Sequence, residues 1–271
     1  MSLLKMAISF EKRECQTRCE IEVRIQQGLP PDSNDFDFRN LEVTTSNVPV
    51  LSGACQADAV GLYYNALISY LEGFFQLMNK QYSWAIVKLY YAVYYCARAQ
   101  MGFRKYAVIR HANDLYSIKM TVGEKAKRQR CRNDHNLIIG LYAEYFPSTY
   151  ILSNKIDDVY YTEYMMNLRE VTHYKQKAMK DPLWLEAFDE LNKEIKSGKA
   201  VASVLNDCLS NIDSYCFDEK YAYLVTTFVM LKETAQMYKS QTCRMSTIQS
   251  KYIKQLLNKC KLTGYEAQLL S

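Results

Sequence analysis

Glycine, proline and histidine are scarce in this chain, and each shortage removes a class of structure or chemistry. Nine glycines and five prolines in 271 residues are too few turn formers for a many-stranded β fold, and they favour long helices. Three histidines, at 111, 135 and 173, are too scattered to complete a zinc pattern. The nine cysteines, at 15, 19, 55, 96, 131, 208, 216, 243 and 260, contain no CxxC pair. Cys15 and Cys19 in "ECQTRCE" have the spacing of a metal half-site, but no second half accompanies them. Two thiols are therefore expected there, with no metal and no cofactor. No apolar run approaches the roughly 18 residues of a membrane span, and "MSLLKMAISFEKRE" holds no apolar core of signal-peptide length. With its cysteines unpaired, the chain is expected to be cytoplasmic, reduced and without a membrane partner. A P-loop, a GxSxG elbow and a clearly spaced carboxylate pair are also missing, so nucleotide and acyl-transfer hydrolases find no support.

What the chain does have is apolar bulk, tyrosine and an uneven charge. At 49% hydrophobic it has enough for a substantial core. The net charge is +5, yet the segment from Arg98 to His135 carries ten Lys/Arg against three acids, leaving the remainder slightly negative. Such a segment is a candidate phosphate footprint, with Arg98, Arg104, Lys127 and Arg132 as contact residues; a solvated basic loop has the same signature. "KLYYAVYYCARAQM" puts tyrosine on two faces of a helix, about 100° apart: Tyr91 and Tyr95 on one, Tyr90 and Tyr94 on the other. One pair suits a core, the other a helix groove, a second chain or a stacked base.

The fold class read from the pattern is all-α. Residues 1–55, with "GLPPDSNDFDFRN" as loop chemistry, form an irregular N-terminal extension. Apolar residues at 60, 63, 64, 67, 68, 71, 74, 75 and 78 predict a first helix from about Gln56 to Asn79, with Asp58 at its start. Ser83 is placed to cap a second helix that ends at Gly102, the two forming a hairpin. A polar, basic stretch with a short helix around Ala112 to Met120 follows. Asn133 or Asp134 caps a third helix stopped by Pro147, and a fourth runs from about Ile156 to Met179. Residues 56–180 thus read as a helical bundle and 181–271 as a helical C-terminal extension of four more helices packed onto it.

Three stretches in order, "WAIVKLYYAVYYCARAQM", "DHNLIIGLYAEYF" and "NLREVTHYKQKA", resemble the HEPN family of helical bundles common in prokaryotic toxin–antitoxin and anti-phage systems. Cys96-Ala97-Arg98-Ala99 is similar to the family's Ala-Ala-Arg-Ala, and Leu168-Arg169-Glu170-Val171-Thr172-His173-Tyr174 to its Leu-Arg-Glu-x-Ala-Asp-Tyr. The resemblance implies a central second helix, with Tyr91 and Tyr95 or their neighbours inside it and the other pair at a groove or seam. Active members are metal-independent ribonucleases whose signature is Arg, four to six residues, then His. Histidine moves the proton of a ribose 2′-OH and arginine holds the phosphorane charge. In "RQRCRNDH" both Arg128 and Arg130 stand at that spacing from His135, the expected catalytic set if the chain cuts RNA. Arg104 with His111 also fits, while Arg169 with His173 is too close.

Two functions follow as expectations. One is a binding or assembly module of a prokaryotic defence or toxin-type system with RNA or nucleotide phosphate contacts. The other is a metal-independent endoribonuclease acting as a dimer on single-stranded RNA. The expected partners are a second copy of the chain or another protein of a larger complex. The expected interface is Tyr63, Tyr64, Phe74, Phe75, Tyr90 and Tyr94, more aromatic surface than one small bundle buries.

Overall fold

The computed structural model describes residues 15–28, 37–111, 113–131, 133–173, 175, 181 and 186–270. It is 68% helical and 9% strand, an all-α architecture with a small sheet set into it. The centre is an antiparallel hairpin of α2 (Val48–Met78) and α3 (Tyr82–Phe103); α1 is Gln16–Gly28. Pro49 sits in the first turn of α2, where a missing N–H costs nothing, so the helix begins before the expected Gln56. Asp58 lies well inside it and caps α1 instead. Its carboxylate accepts from the Gln16 and Thr17 backbone N–H groups, both at 2.9 Å, and from Thr17 Oγ1 at 2.6 Å. Ser83 also does not act as the cap expected of it: its backbone N–H donates to Asp181 Oδ1 at 3.1 Å. Gly102 lies inside α3 where the hairpin pinches, since a Cβ there would stand 2.8 Å from the Ala59 Cβ. The turn out of α3 falls to Lys105, at φ 62°.

The largest departure from the sequence reading follows at once. The short helix expected around Ala112 to Met120 is instead strand, in a three-stranded antiparallel sheet of β1 (Tyr106–His111), β2 (Asp114–Lys119) and β3 (Lys127–Gln129). His111 stands opposite Asp114. Val108, Ile109, Tyr116 and Ile118 suit a pleated surface, and Asn113-Asp114 suits a turn better than a helix interior. The third helix, α4 (Asp134–Tyr145), is capped as expected by Asn133, whose side chain accepts the His135 backbone N–H at 3.0 Å. The fourth, α5 (Tyr161–His173), starts late because 155–160 makes a small hairpin of β4 (Lys155–Ile156) and β5 (Val159–Tyr160). Asp157 and Asp158 turn it with φ of 48° and 63°. Residues 176–179, the expected end of that helix, lie outside the described residues.

The C-terminal segment comprises α6 (Asp189–Lys196), α7 (Val201–Ser210), α8 (Ile212–Tyr215), α9 (Ala222–Lys239), α10 (Thr247–Lys259) and α11 (Glu266–Leu270). It packs directly on the hairpin: α9 lies against α3 and α2, and α10 against α2. Tyrosine hydroxyls join the layers. Tyr63 donates to the Leu269 carbonyl at 2.8 Å and Tyr161 to the Ala222 carbonyl at 3.0 Å. Tyr142 donates to Gln100 Oε1 at 2.7 Å, and Gln100 Nε2 donates to Thr234 Oγ1 at 3.0 Å, so α4, α3 and α9 share one buried polar chain. Each satisfied bond contributes about 1 kcal/mol, and leaving one partner unmet costs more.

Two cores result. The main core spans α2 to α11. A smaller one gathers Ile21 and Ile25 from α1, Phe38, Leu41 and Val43 from the connecting segment, Leu51 and Cys55 from α2, and Ile109, Tyr116 and Ile118 from the sheet.

Candidate nucleic-acid interface

The sheet's apolar side chains turn toward the small core, and β3, at its edge, buries none of its three residues. Cations collect there. Arg39, Lys125, Lys127, Arg128 and Arg130 line a groove of about 910 Å³ together with Asn113, Asp114 and Gln129. Three of the five are ion-paired: Arg39 with Asp37, Lys125 with Glu42 at 3.4 Å, and Arg128 with Asp114 at 2.7 Å. The hydrogen bond from Arg39 holds the Asp37 carboxyl below the usual carboxylate range. Lys127 and Arg130 are exposed and have no ion-pair partner among the described residues, so the groove keeps a positive excess. Among the described residues no aromatic side chain lines it. Arg39 could not be assigned to this site from sequence, because only the fold carries residue 39 to the sheet.

The other residues expected to contact nucleic acid lie elsewhere. Arg132 is outside the described residues. Arg104 stacks on the Phe146 ring at 4.4 Å and lines a separate cavity with Glu233. Arg98 lies over the Tyr94 ring at 5.7 Å, on α3 and outside the groove lining.

His135 enters the second site. At the start of α4 it faces α3, with its ring 4.5 Å from that of Tyr94 and 5.8 Å from that of Tyr91. The Tyr90 hydroxyl is 2.6 Å from its Nδ1. Burial raises the Tyr90 phenol above its ordinary range, so the phenol keeps its proton. Burial first, then the Arg169 guanidinium, and more weakly Arg98, push His135 below its ordinary value. The imidazole is therefore neutral near pH 7, with Nδ1 engaged by the Tyr90 hydroxyl. Arg169, buried itself, lies over the Tyr90 ring at 4.5 Å.

No hydrogen bond, ion pair or ring contact links His135 to Arg128 or Arg130 among the described residues: Arg128 is held by Asp114 on β2, His135 by Tyr90 on α3. The cations that bear on His135 are Arg169 and Arg98. His111 and Arg104 are likewise separate, His111 meeting Glu22 at 3.2 Å and the Phe38 ring at 4.6 Å. The His173 ring lies 5.7 Å from that of Trp84.

The aromatic interface expected from sequence is largely interior. Tyr63, Phe74, Tyr90 and Tyr94 are buried within the chain, and Tyr64 and Phe75 are half-buried, Phe75 under the Lys259 ammonium. For Tyr63 the reason is the C-terminal segment, which meets it through Leu269 and Tyr238, while Tyr90 and Tyr94 are met by His135 of α4 and Tyr90 also by Arg169 of α5. The tyrosine pairs are also exchanged: Tyr90 and Tyr94 point inward, while Tyr91 and Tyr95 are half-exposed. A wheel of α3 extended to Trp84 and Arg98 would have marked the outward seam.

Among the described residues no cluster of three or more His, Cys, Asp or Glu is placed to hold a metal ion, and no helix is long and apolar enough to cross a membrane. No protein-family model matches the chain, and neither a curated protein nor a solved structure matches it.

Proposed function

We propose that the chain is a binding module that grips the phosphate backbone of RNA, in the setting that its HEPN-like motifs imply: a prokaryotic defence or toxin-type assembly. The observation that carries this reading is the groove of five cations at the sheet edge, two of them free of ion-pair partners. Its lining, rich in cations and with no aromatic ring among the described residues, suits phosphate contact better than base readout. Binding there is electrostatic and sequence-tolerant. Fluorescence anisotropy with a labelled single-stranded RNA at low salt tests it: Lys127→Ala and Arg130→Ala together are expected to weaken binding strongly, and wild-type affinity matching the double variant would end the reading.

A second reading, metal-independent cleavage, has its own observation: a neutral, half-buried histidine in the field of two guanidiniums, Arg169 and Arg98. Histidine and arginine are the pair that 2′-OH chemistry needs. RNA cleavage that persists in EDTA and vanishes in His135→Ala, with RNA binding retained, would establish it. Intact RNA after prolonged incubation leaves the binding module.

A further inference from the structure

Helix α3 is buried along nearly all of its length, and the residues that escape burial are five: Trp84, Lys88, Tyr91, Tyr95 and Arg98. At 100° per residue they fall within an arc of about 80°, one straight seam along the helix. Its chemistry is unlike the rest of the helix, with three aromatic rings, two cations, no aliphatic side chain and no acid. Trp84 is 45% exposed. The Tyr91 and Tyr95 rings lie side by side, centroids 5.9 Å apart and planes 29° from parallel. Lys88 is anchored by Glu72, and Arg98 leans over Tyr94 while its Nη2 reaches the Val108 carbonyl at 3.5 Å. Rings and cations are thus both held in place from below.

We infer that this seam is a base-stacking platform for single-stranded RNA, an inference that rests on the phosphate-binding reading of the neighbouring groove. Aromatic rings interleaved with cations are how proteins hold unpaired bases without reading their sequence. Lys88 is paired with Glu72, so the seam's net charge comes from Arg98, a guanidinium beside exposed rings that suits a phosphodiester carrying unpaired bases. The groove and the seam are also close. Gln129, which lines the groove, is joined to His135, whose ring meets Tyr91 edge-on at 5.8 Å, by residues 130–134; that link spans no more than about 20 Å. A strand with phosphates in the groove can therefore lay its bases along α3, and a duplex, whose bases are already stacked, cannot.

The test uses the full chain with three probes: a labelled single-stranded oligoadenylate, an RNA duplex of the same length, and inorganic polyphosphate. Single-stranded RNA is expected to quench Trp84 fluorescence in the wild type, a signal lost in Trp84→Leu while Trp184 remains. Tyr91→Leu and Tyr95→Leu should each weaken single-strand binding about tenfold and leave duplex and polyphosphate binding unchanged. Tyr91→Phe and Tyr95→Phe, which keep the ring and its packing, should bind as wild type. Leucine variants that hold the oligoadenylate normally, with no tryptophan quenching in the wild type, would overturn the platform and leave the groove as a phosphate reader. Leucine variants that alter sedimentation but not RNA affinity would mark the seam as a protein contact and overturn it as well. A wild type that binds none of the probes at low salt would remove both the platform and the reading beneath it.

Discussion

The main core and the small core are closed by different means, and the two candidate surfaces inherit the difference. In the main core, long helices lie against one another and bury large aromatic side chains completely, among them Tyr63, Tyr70, Tyr90 and Phe228. Tyrosine hydroxyls there find carbonyls on the opposite layer, as Tyr70 does at Leu224 and Tyr161 at Ala222. The small core is assembled from pieces remote in sequence, with Ile21, Phe38, Ile109 and Tyr116 meeting across a helix, a connecting segment and a sheet. A sheet with one buried side must put its polar residues on its other side and its edge, and here those residues are cations. A helix enclosed on nearly all sides leaves only a seam, and here the seam is aromatic. The same chain thus offers charge from its sheet and rings from its central helix.

The sharpest way to break the comparison is to damage each core separately. Phe228→Ala should cost about 3–5 kcal/mol and move the whole urea transition, because α9 is the wall shared by α2 and α3. Phe38→Ala removes as large a ring from the small core, yet it should spare most of the helical circular dichroism. Its effect should appear as faster amide exchange in β1 and β2, a local opening below the global free energy. If Phe38→Ala melted all helices together, the two cores would be one cooperative unit.

A second contrast concerns packing on the helices. Gly102→Ala forces a Cβ to 2.8 Å from Ala59 and should destabilise by about 1–3 kcal/mol. Gly140→Ala, on an exposed face of α4 with open space at the added Cβ, should instead stabilise by about 0.5–1 kcal/mol. Equal effects on thermal midpoints would show that the α2–α3 pinch is not tight.

This division also explains what was legible in the sequence. Helix periodicity is local, so α3, α4, α9 and α10 and the end of α2 could be read to within a few residues from apolar spacing, with Asn133 as a cap and Pro147 as a stop; the start of α2 lies eight residues before the expected Gln56. The sheet could not, because a short, charged stretch such as Lys127–Gln129 becomes a strand only by pairing with β2. The long-range contacts were equally hidden: Asp58 capping α1, Asp181 meeting Ser83, and the C-terminal helices covering Tyr63 and Tyr70. The candidate site shows the same split. Lys127, Arg128 and Arg130 stood out as a charge run, whereas Arg39 reached the groove through the fold alone. His135 was visible as a residue, but its partners Tyr90 and Arg169 come from two other helices.

Smaller effects sharpen the account of the histidine. Burial and Arg169 hold the folded-state pKa of His135 below 6.5, so the unfolded chain takes up a proton before the folded one does. Stability from this group is full above pH 6.5 and falls as the pH drops through the window beneath it. Replacing the ring, as in His135→Gln, should flatten that part of the stability–pH curve in urea titrations. An unchanged slope would mean that folding does not shift the titration of the imidazole. Smallest of all should be the effect of Lys127→Ala and Arg130→Ala on folding, since both side chains are exposed and have no ion-pair partner among the described residues; a clear drop in melting midpoint would assign them a structural role.

The most direct measurement is the dependence of RNA affinity on salt in the wild type and in the Lys127→Ala/Arg130→Ala double variant. If the sheet-edge groove neutralises phosphates, the wild-type plot of log affinity against log salt should fall steeply, and the double variant should lose about 1.4 from the slope, roughly 0.7 per lost contact on a single strand. A slope shared by both proteins, or no binding at low salt, would contradict the assignment of phosphate contact to this groove.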